Sequence, residues 1–430
     1  MNFWDLLTSA KIQGFIEEAF SKRLDALQVS TRLAKEGFSN EERAAIMDYM
    51  ALVPKFREKF FNENSSKGKF LLCDKLALEQ STAQDIGRWK AELWPADGSV
   101  NDLCCGMGGD SLLLPESLKI TGVDLDENRL AMYRYNMRTV EKNADTLCAD
   151  VRSVDNTTDY FTIDPARRAI EGENQRDLRK LTPTLEEVVE ISKRYKGGMA
   201  KLPPGYPPAE IPDGTEILYL GGHGDCRECL VLFGELAQNP DTVRAVIVSK
   251  SGETEAEWSR KRDRSSETLD NDLQEKLDKN DSLEGKDRTY RTATSKSDLP
   301  LGEISQFISE PAPVLIRSHL FNAAALAHDS NAHLISEGIA YVASEKPLAA
   351  PGFACYEVIA HAEIATGAVR TMLKEHDIGK ITLKLRGVKL DPDAEIKRLK
   401  PKGKNSAILF YTRAYGEKVA ILAKKVTNVR

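Results

Sequence analysis

The chain has 430 residues, 41% hydrophobic and 29% charged, with a formal net charge of −6, a balance that fits a folded protein and excludes a disordered, fibrous or uniformly basic one. That length exceeds what one hydrophobic core serves, so about two to four domains are expected. No stretch of about 18 apolar residues occurs and the opening Met1-Asn-Phe-Trp-Asp5 lacks a basic-then-apolar layout, so neither a membrane span nor secretion is expected, and a cytoplasmic location is.

Residues 1–92 read as helices. Apolar residues recur at helical spacing in Trp4, Leu6 and Leu7 and in Ile12, Phe15, Ile16 and Phe20, and Ser39-Asn-Glu-Glu42 has the form of a capping box before Ala44, Ile46 and Met47. Over residues 93–250 short apolar runs alternate with glycine-rich turns and helical stretches, the pattern of a mostly parallel sheet with crossover helices. Strands are predicted at Val100–Leu103, Ile120–Val123, Tyr160–Ile163, Gly198–Leu202, Ile217–Leu220, Cys229–Phe233 and Val243–Val248, the last three as an antiparallel edge. Helices are predicted at Asp126–Glu141 and Thr184–Tyr195. Pro115 falls inside the helix expected after the first glycine turn, which it should break.

Residues 251–301 are dense in charge and nearly devoid of large apolar side chains, so a linker or exposed insertion is predicted. Residues 302–430 regain strand-like runs at Ile339–Val342, Ile381–Leu385, Ser406–Tyr411 and Lys418–Leu422 and a helical stretch at Ala360–Leu373, as in a small α+β domain. From Gly379 to Arg430, ten Lys and four Arg face two Asp and two Glu, a local charge of +10. Such a segment can neutralise phosphates or form a solvated basic face.

Three stretches carry candidate chemistry. Val100-Asn-Asp102-Leu-Cys104-Cys-Gly106-Met-Gly108-Gly-Asp110 places a strand before a glycine-rich turn, and Thr121-Gly-Val-Asp124 ends the next strand on an acid. Glycines let the backbone pass close to a cofactor, and a carboxylate at Asp124 can accept from both hydroxyls of a ribose. The GxGxxG spacing that cradles a pyrophosphate is absent, which argues against a dinucleotide. Cys148-Ala-Asp150-Val151 ends the third strand region and resembles the place where class I methyltransferases often set an acid beside adenine and an apolar side chain against its face, or is a solvated loop. Leu78-Glu79-Gln80-Ser81-Thr82 is either a helix N-terminus or, as its resemblance to the Glu-Gln-polar-Thr segment of several RNA methyltransferases implies, a segment folded over the cofactor. At the fourth strand's end, Asp164-Pro165-Ala166-Arg167-Arg168 can orient an acceptor amine through a side-chain oxygen and a backbone carbonyl. Its arginines can bind phosphate, stack on a base or close a loop salt bridge.

The seven cysteines are read as reduced thiols. Cys226 and Cys229 have CxxC spacing without a second pair, and the six histidines show no ligand pattern, so no metal is expected.

The glycine loop resembles motif I of class I S-adenosylmethionine (SAM)-dependent methyltransferases. The Asp164-Pro165 turn resembles the Asn/Asp-Pro-Pro-aromatic motif of amino-methyltransferases, with Ala166 for the second proline and Arg167 for the aromatic. It is also similar to a loop of uracil-5 methyltransferases, whose nucleophilic cysteine would correspond to Cys226, here in Gly224-Asp-Cys-Arg-Glu228 rather than Ser-Cys-Asn-Pro. In order, Gln80-Ser81-Thr82, Asp102–Asp110, Asp164–Arg168, Lys201-Leu-Pro-Pro204, Gly224–Glu228 and Glu310-Pro-Ala-Pro-Val-Leu-Ile-Arg317 resemble the bacterial SAM-dependent methyltransferases with a C-terminal THUMP-like domain.

That resemblance implies an α/β, Rossmann-like doubly wound core, a helical N-terminal part and an α+β THUMP-like tail, with SAM as cofactor and RNA (tRNA or rRNA) as partner. Gln80, Thr82, Asp102, Cys104, Gly106, Gly108, Asp124, Asp150 and Val151 are the expected cofactor-binding residues. Asp164, Pro165 and Arg167 are the expected catalytic residues, and Arg168, Lys201, Lys384, Arg386 and Lys402 the expected RNA-binding ones. The expected reaction is methyl transfer to a nucleobase nitrogen oriented by Asp164. A protein or small-molecule acceptor, and an RNA-binding protein that keeps the fold as a scaffold, stay open as alternatives. No membrane contact is expected, and the sequence does not set the oligomeric state.

Overall fold

Two sheets organise the chain in the computed structural model, which describes Leu7 and residues 9–60, 71–155, 158–167, 180–262, 299–348 and 350–427. The N-terminal helices are α1 (Ala10–Ser21), α2 (Ala26–Lys35), α3 (Asn40–Phe60), α4 (Lys75–Gln80) and α5 (Gln84–Ala91). Asp25 starts α2 by accepting the Gln28 N–H while the Gln28 side chain accepts the Asp25 N–H, so two otherwise orphaned donors are satisfied reciprocally. Ile12, Phe15, Ile16, Phe20 and Tyr49 face inward, and their cluster continues through Leu71 and Leu72 to Met107 of the glycine loop. Asn136 locks this contact. Its buried amide accepts the Leu72 N–H at 2.6 Å and donates to the carbonyls of Leu72 and Met107 at 3.0 and 2.9 Å, satisfying three backbone groups shut off from water.

The first sheet contains β1 (Gly98–Leu103), β2 (Leu118–Asp124), β3 (Ala144–Cys148), β4 (Tyr160–Ile163), β7 (Gly197–Leu202), β8 (Glu216–Gly221), β9 (Glu228–Gly234), β10 (Thr242–Val248) and β11 (Thr254–Lys261). Two short strands, β5 (Ala166–Arg167) and β6 (Leu181–Thr182), pair beside it. The order is β11-β10-β8-β9-β7-β4-β1-β2-β3, with α6 (Glu127–Thr139) crossing from β2 to β3 and α7 (Leu185–Ser192) leading into β7. Strands such as β8, buried at every position, read as unbroken apolar runs because both faces are covered.

Three expectations about this sheet are corrected. The last three predicted strands do not form an antiparallel edge: β8 and β10 pair in parallel, and only β9 among them is reversed, inserted between β7 and β8. The edge is β11, inside the stretch read as a linker. Its Ala256 and Trp258 pack on the core while Glu255, Glu257, Ser259 and Lys261 between and beyond them are exposed, a half-buried pattern that charge density hides. Residues 263–298 of that stretch lie outside the described residues. The helix expected after β1 is a single 3-10 turn, Ser111–Leu113, ending ahead of Pro115, which has no N–H to continue it.

The second sheet has the order β13-β14-β12-β15-β18-β17-β16, from β12 (Phe307–Pro311), β13 (His333–Leu334), β14 (Val342–Ser344), β15 (Phe353–Glu363), β16 (Ile378–Leu385), β17 (Asn405–Ala414) and β18 (Glu417–Lys425). α10 (Thr366–Glu375) is shorter than the predicted helix, because Ala360–Glu363 belong to β15, where His361 pairs with Ile421 and Ala362 with Ala420. The short apolar run there fits either period, and cross-strand pairing decides. α8 (Pro313–Arg317) and α9 (Phe321–His328) precede β13, and α11 (Pro392–Leu399) lies between β16 and β17. Val314 and Leu315 of α8 share one core with Tyr219, Val231 and Ile247, joining the two sheets through continuous packing.

Candidate functional site

The carboxyl ends of β1, β2, β4 and β7 form one rim, the place where open α/β sheets receive ligands. Cys104, Gly106 and Gly108 turn the chain after β1 with φ of 59°, 52° and 86°. A Cβ on Gly108 would come within 2.9 Å of the Tyr133 ring, whereas one on Gly106 would meet nothing within 4 Å. Gly108 therefore lets the loop sit on α6, and Gly106 leaves open space where a cofactor can pass close to the backbone.

Asp124 ends β2 at the lip of this loop, accepting the Gly106 N–H and the Asp126 N–H, each at 3.0 Å. Beside it Leu125 is 66% exposed, an apolar side chain at the open rim that sequence reasoning missed; its signal was its place directly after a strand-ending acid. Asp150 caps the Val151–Ser153 turn, and Arg152 grips both of its oxygens, at 2.9 and 2.6 Å. Those hydrogen bonds hold its carboxyl down at about 2. Val151 is buried in the main core.

Asp102 points inward from β1. Ser111 Oγ donates to it at 2.6 Å, and the Tyr133 hydroxyl donates to Ser111 at 2.8 Å. Burial pushes its carboxyl up to about 8. Ionisation of Asp102 therefore favours the unfolded chain: its contribution to stability is fully present below about pH 4 and is lost as the pH rises towards about 8. Asp102→Asn keeps an oxygen for Ser111 and is expected to melt progressively higher than the parent between about pH 5 and 8. Thermal melts across that range check this, and parallel curves would refute it.

Charged side chains converge behind the rim. Lys90 of α5, 4% exposed, contacts Asp110 at 2.5 Å and Glu228 at 3.1 Å. The Thr82 hydroxyl donates to Glu228 at 2.7 Å, and Lys201 at the end of β7 contacts Asp164 at 2.7 Å and Glu228 at 3.8 Å. Burial pulls both ammonium groups down, but the facing carboxylates more than reverse this and hold them above their ordinary range. Burial likewise works to raise the Asp110 carboxyl, yet Lys90 and Lys201 hold it well below the usual range. The Asp164 carboxyl is raised, by burial first and by Asp110 and Glu228, against the opposing Lys201. Its side chain remains 38% exposed, open to the rim.

The sequence-predicted residues Cys104, Gly106, Gly108, Asp124, Asp164 and Pro165 thus lie along one rim, Asp102 is turned inward below it, and Thr82 and Lys201 belong to the charged cluster that backs it, Lys201 reaching Asp164. Arg167 pairs through its backbone with Leu181; its side chain, the side chain of Gln80 and the whole of Arg168 lie outside the described residues. Lys384 and Arg386 are engaged elsewhere. Both bind Glu310 and lie over the rings of Tyr356 and Tyr341, at 5.3 and 4.8 Å, so they brace the second sheet. Lys402 is exposed in the turn before β17. Lys90, Asp110 and Glu228 are additions to the expected site: Asp110 and Glu228 close two of the resembling motifs without an assigned role, and Lys90 had no local sequence signal. Cys226 Sγ sits 4.0 Å from the Glu228 carbonyl, and burial pushes its thiol up to about 12, which works against a nucleophilic thiolate. Among the described residues, no three His, Cys, Asp or Glu are grouped to hold a metal ion, and no helix is long and apolar enough to cross a membrane.

Residues 353–425 match the family model described as THUMP domain-like. The chain is 27% identical over 358 residues to an uncharacterised SAM-dependent methyltransferase of Mycobacterium tuberculosis, found alike in two strains, covering 81% of this chain and 86% of the relative. A Porphyromonas gingivalis crystal structure, described as that of a candidate methyltransferase, superposes with a TM-score of 0.69 at 19% identity, covering 97% of this chain and 98% of that one. The chain therefore has the class I methyltransferase fold with a C-terminal THUMP-like domain, and is related to SAM-dependent methyltransferases.

Proposed function

We propose that this SAM-dependent methyltransferase methylates a nucleobase nitrogen of tRNA or rRNA in the cytoplasm. The observation that carries the reading is Asp164, a partly exposed carboxylate at the end of β4 on the same rim as the open glycine turn and Asp124. SAM, when bound, supplies an electrophilic methyl group on a sulfonium. Gly106, Gly108 and Cys104 would let its backbone-facing part approach, Asp124 would accept from the ribose, and Gln80, Thr82 and Asp102 would line the methionine end. Asp150 and Val151 would flank the adenine, with Arg152 releasing part of its grip. Asp164 and the carbonyl preceding Pro165 would orient the acceptor, which makes catalysis largely a matter of positioning.

The RNA part of the reading is supported by the THUMP-like match and the local charge of +10 after Gly379. Lys402 with the exposed Lys397, Lys400 and Lys404 would meet phosphates, Arg167 and Arg168 would be further RNA contacts, and Lys384 and Arg386 would act through the sheet they brace. In this division residues 1–92 cap the catalytic part, which runs from 93 through the edge strand β11, and 302–430 hold the RNA.

The test is incubation of the purified protein with methyl-labelled SAM and RNA from cells lacking it, beside Asp124→Ala. Label is expected in one RNA size class, and the variant should bind SAM at least about tenfold more weakly, since hydrogen bonds to a charged group are lost. SAM binding with no label in RNA would refute the reading and point to a protein or small-molecule acceptor, or to an RNA-binding scaffold.

A further inference from the structure

We infer that Asp164 and Lys201 act as a pair on a ring nitrogen that bears a hydrogen and adjoins a carbonyl, the lactam edge of guanine or uracil, and not on an exocyclic amine. This rests on the nucleobase reading above and narrows it.

The pairing is built into the sheet. β4 and β7 run in parallel with Ile163 opposite Ala200, so Asp164 and Lys201 follow side by side as the two strands end, and Lys201 Nζ donates to Asp164 Oδ2 at 2.7 Å. Glu228 stands on the other side of Lys201 at 3.8 Å and is itself held by Thr82 and Lys90. The ammonium is therefore fixed in place and fixed in charge. With Asp164 38% and Lys201 15% exposed, the rim presents a hydrogen-bond acceptor next to a permanent cationic donor.

Two kinds of base edge match that pattern: an N–H beside a carbonyl, and an exocyclic amine beside a bare ring nitrogen. Charge separates them. A neutral amine that attacks a methyl group becomes cationic at nitrogen, and an ammonium in contact with the carboxylate that holds the amine opposes that charge. A lactam nitrogen instead passes its proton to Asp164, and the negative charge that moves onto the adjoining oxygen is what Lys201 stabilises. The carboxyl of Asp164, raised by burial and by Asp110 and Glu228, is a stronger base than an ordinary aspartate. The step balances: the N–H proton goes to the carboxylate, the nitrogen pair forms the new N–C bond, and the methyl–sulfur bond breaks with its electrons on sulfur. Asp164 then returns its proton to water.

The deciding experiment digests RNA methylated by the wild-type protein to nucleosides and identifies the product by mass spectrometry. Methyl on guanine N1 or uracil N3 is expected, and the two are told apart by mass and retention. Methyl on an exocyclic amine, a carbon or a ribose overturns the inference and leaves RNA methylation standing, whereas unlabelled RNA removes both. In parallel, Lys201→Met should lose about 10²- to 10³-fold in kcat with SAM affinity unchanged. A Lys201→Met protein with wild-type kcat would also overturn the inference.

Discussion

Lys90→Met is expected to destabilise the protein by about 3–5 kcal/mol, the usual cost of removing one partner from a buried ion pair. The ammonium lies between Asp110 and Glu228 at 2.5 and 3.1 Å, with the lysine 4% exposed. Methionine fills similar volume but leaves both carboxylates facing each other in a water-poor interior. The nearest replacement cation, Lys201, is already bound to Asp164 and reaches Glu228 only at 3.8 Å. Because Lys90 belongs to α5, the change also loosens the N-terminal helices from the first sheet.

Urea denaturation measures the loss. Adding Asp110→Asn and Glu228→Gln to Lys90→Met should return a large part of it, since removing a whole buried charge set is often close to neutral. A loss below about 1 kcal/mol for Lys90→Met would mean that water reaches the cluster and screens it as it does a surface pair.

Asp164→Asn is expected to lower kcat on the identified RNA by about 10²- to 10⁴-fold, the range for a positioned general base, without weakening SAM binding. The amide keeps an oxygen to accept from Lys201 at the present 2.7 Å, so the fold of the rim is retained while the ability to take a proton is lost. Single-turnover methylation beside a SAM-binding titration separates these effects. A variant that methylates at the wild-type rate would show that the carboxylate only orients, or that the acceptor lies elsewhere.

Much of the architecture was legible because it is written in short-range patterns. The runs around Phe161 and Leu218 are largely apolar and buried at every position, as strands covered on both faces must be, and the glycine turn and Asp124 announce themselves by spacing along a strand-turn-strand unit. The reversed β9, the edge strand β11 and the extension of β15 through Ala360–Glu363 were not legible. In each case the local residues suit more than one state, and the partner strand that chooses between them lies many residues away.

The same division holds at the rim. By itself the sequence determined which residues end β1, β2 and β4, and hence that Asp102, Asp124 and Asp164 face one edge of the sheet, because strand period and turn chemistry are local properties. Only the tertiary structure decided that Thr82, Lys90, Asp110, Lys201 and Glu228 meet behind that edge, and that Lys384 and Arg386 turn to Glu310. A charge has no preferred neighbour along the chain; its partner and its proton affinity follow from distance and exclusion of water, and those exist only once the sheet has closed over it.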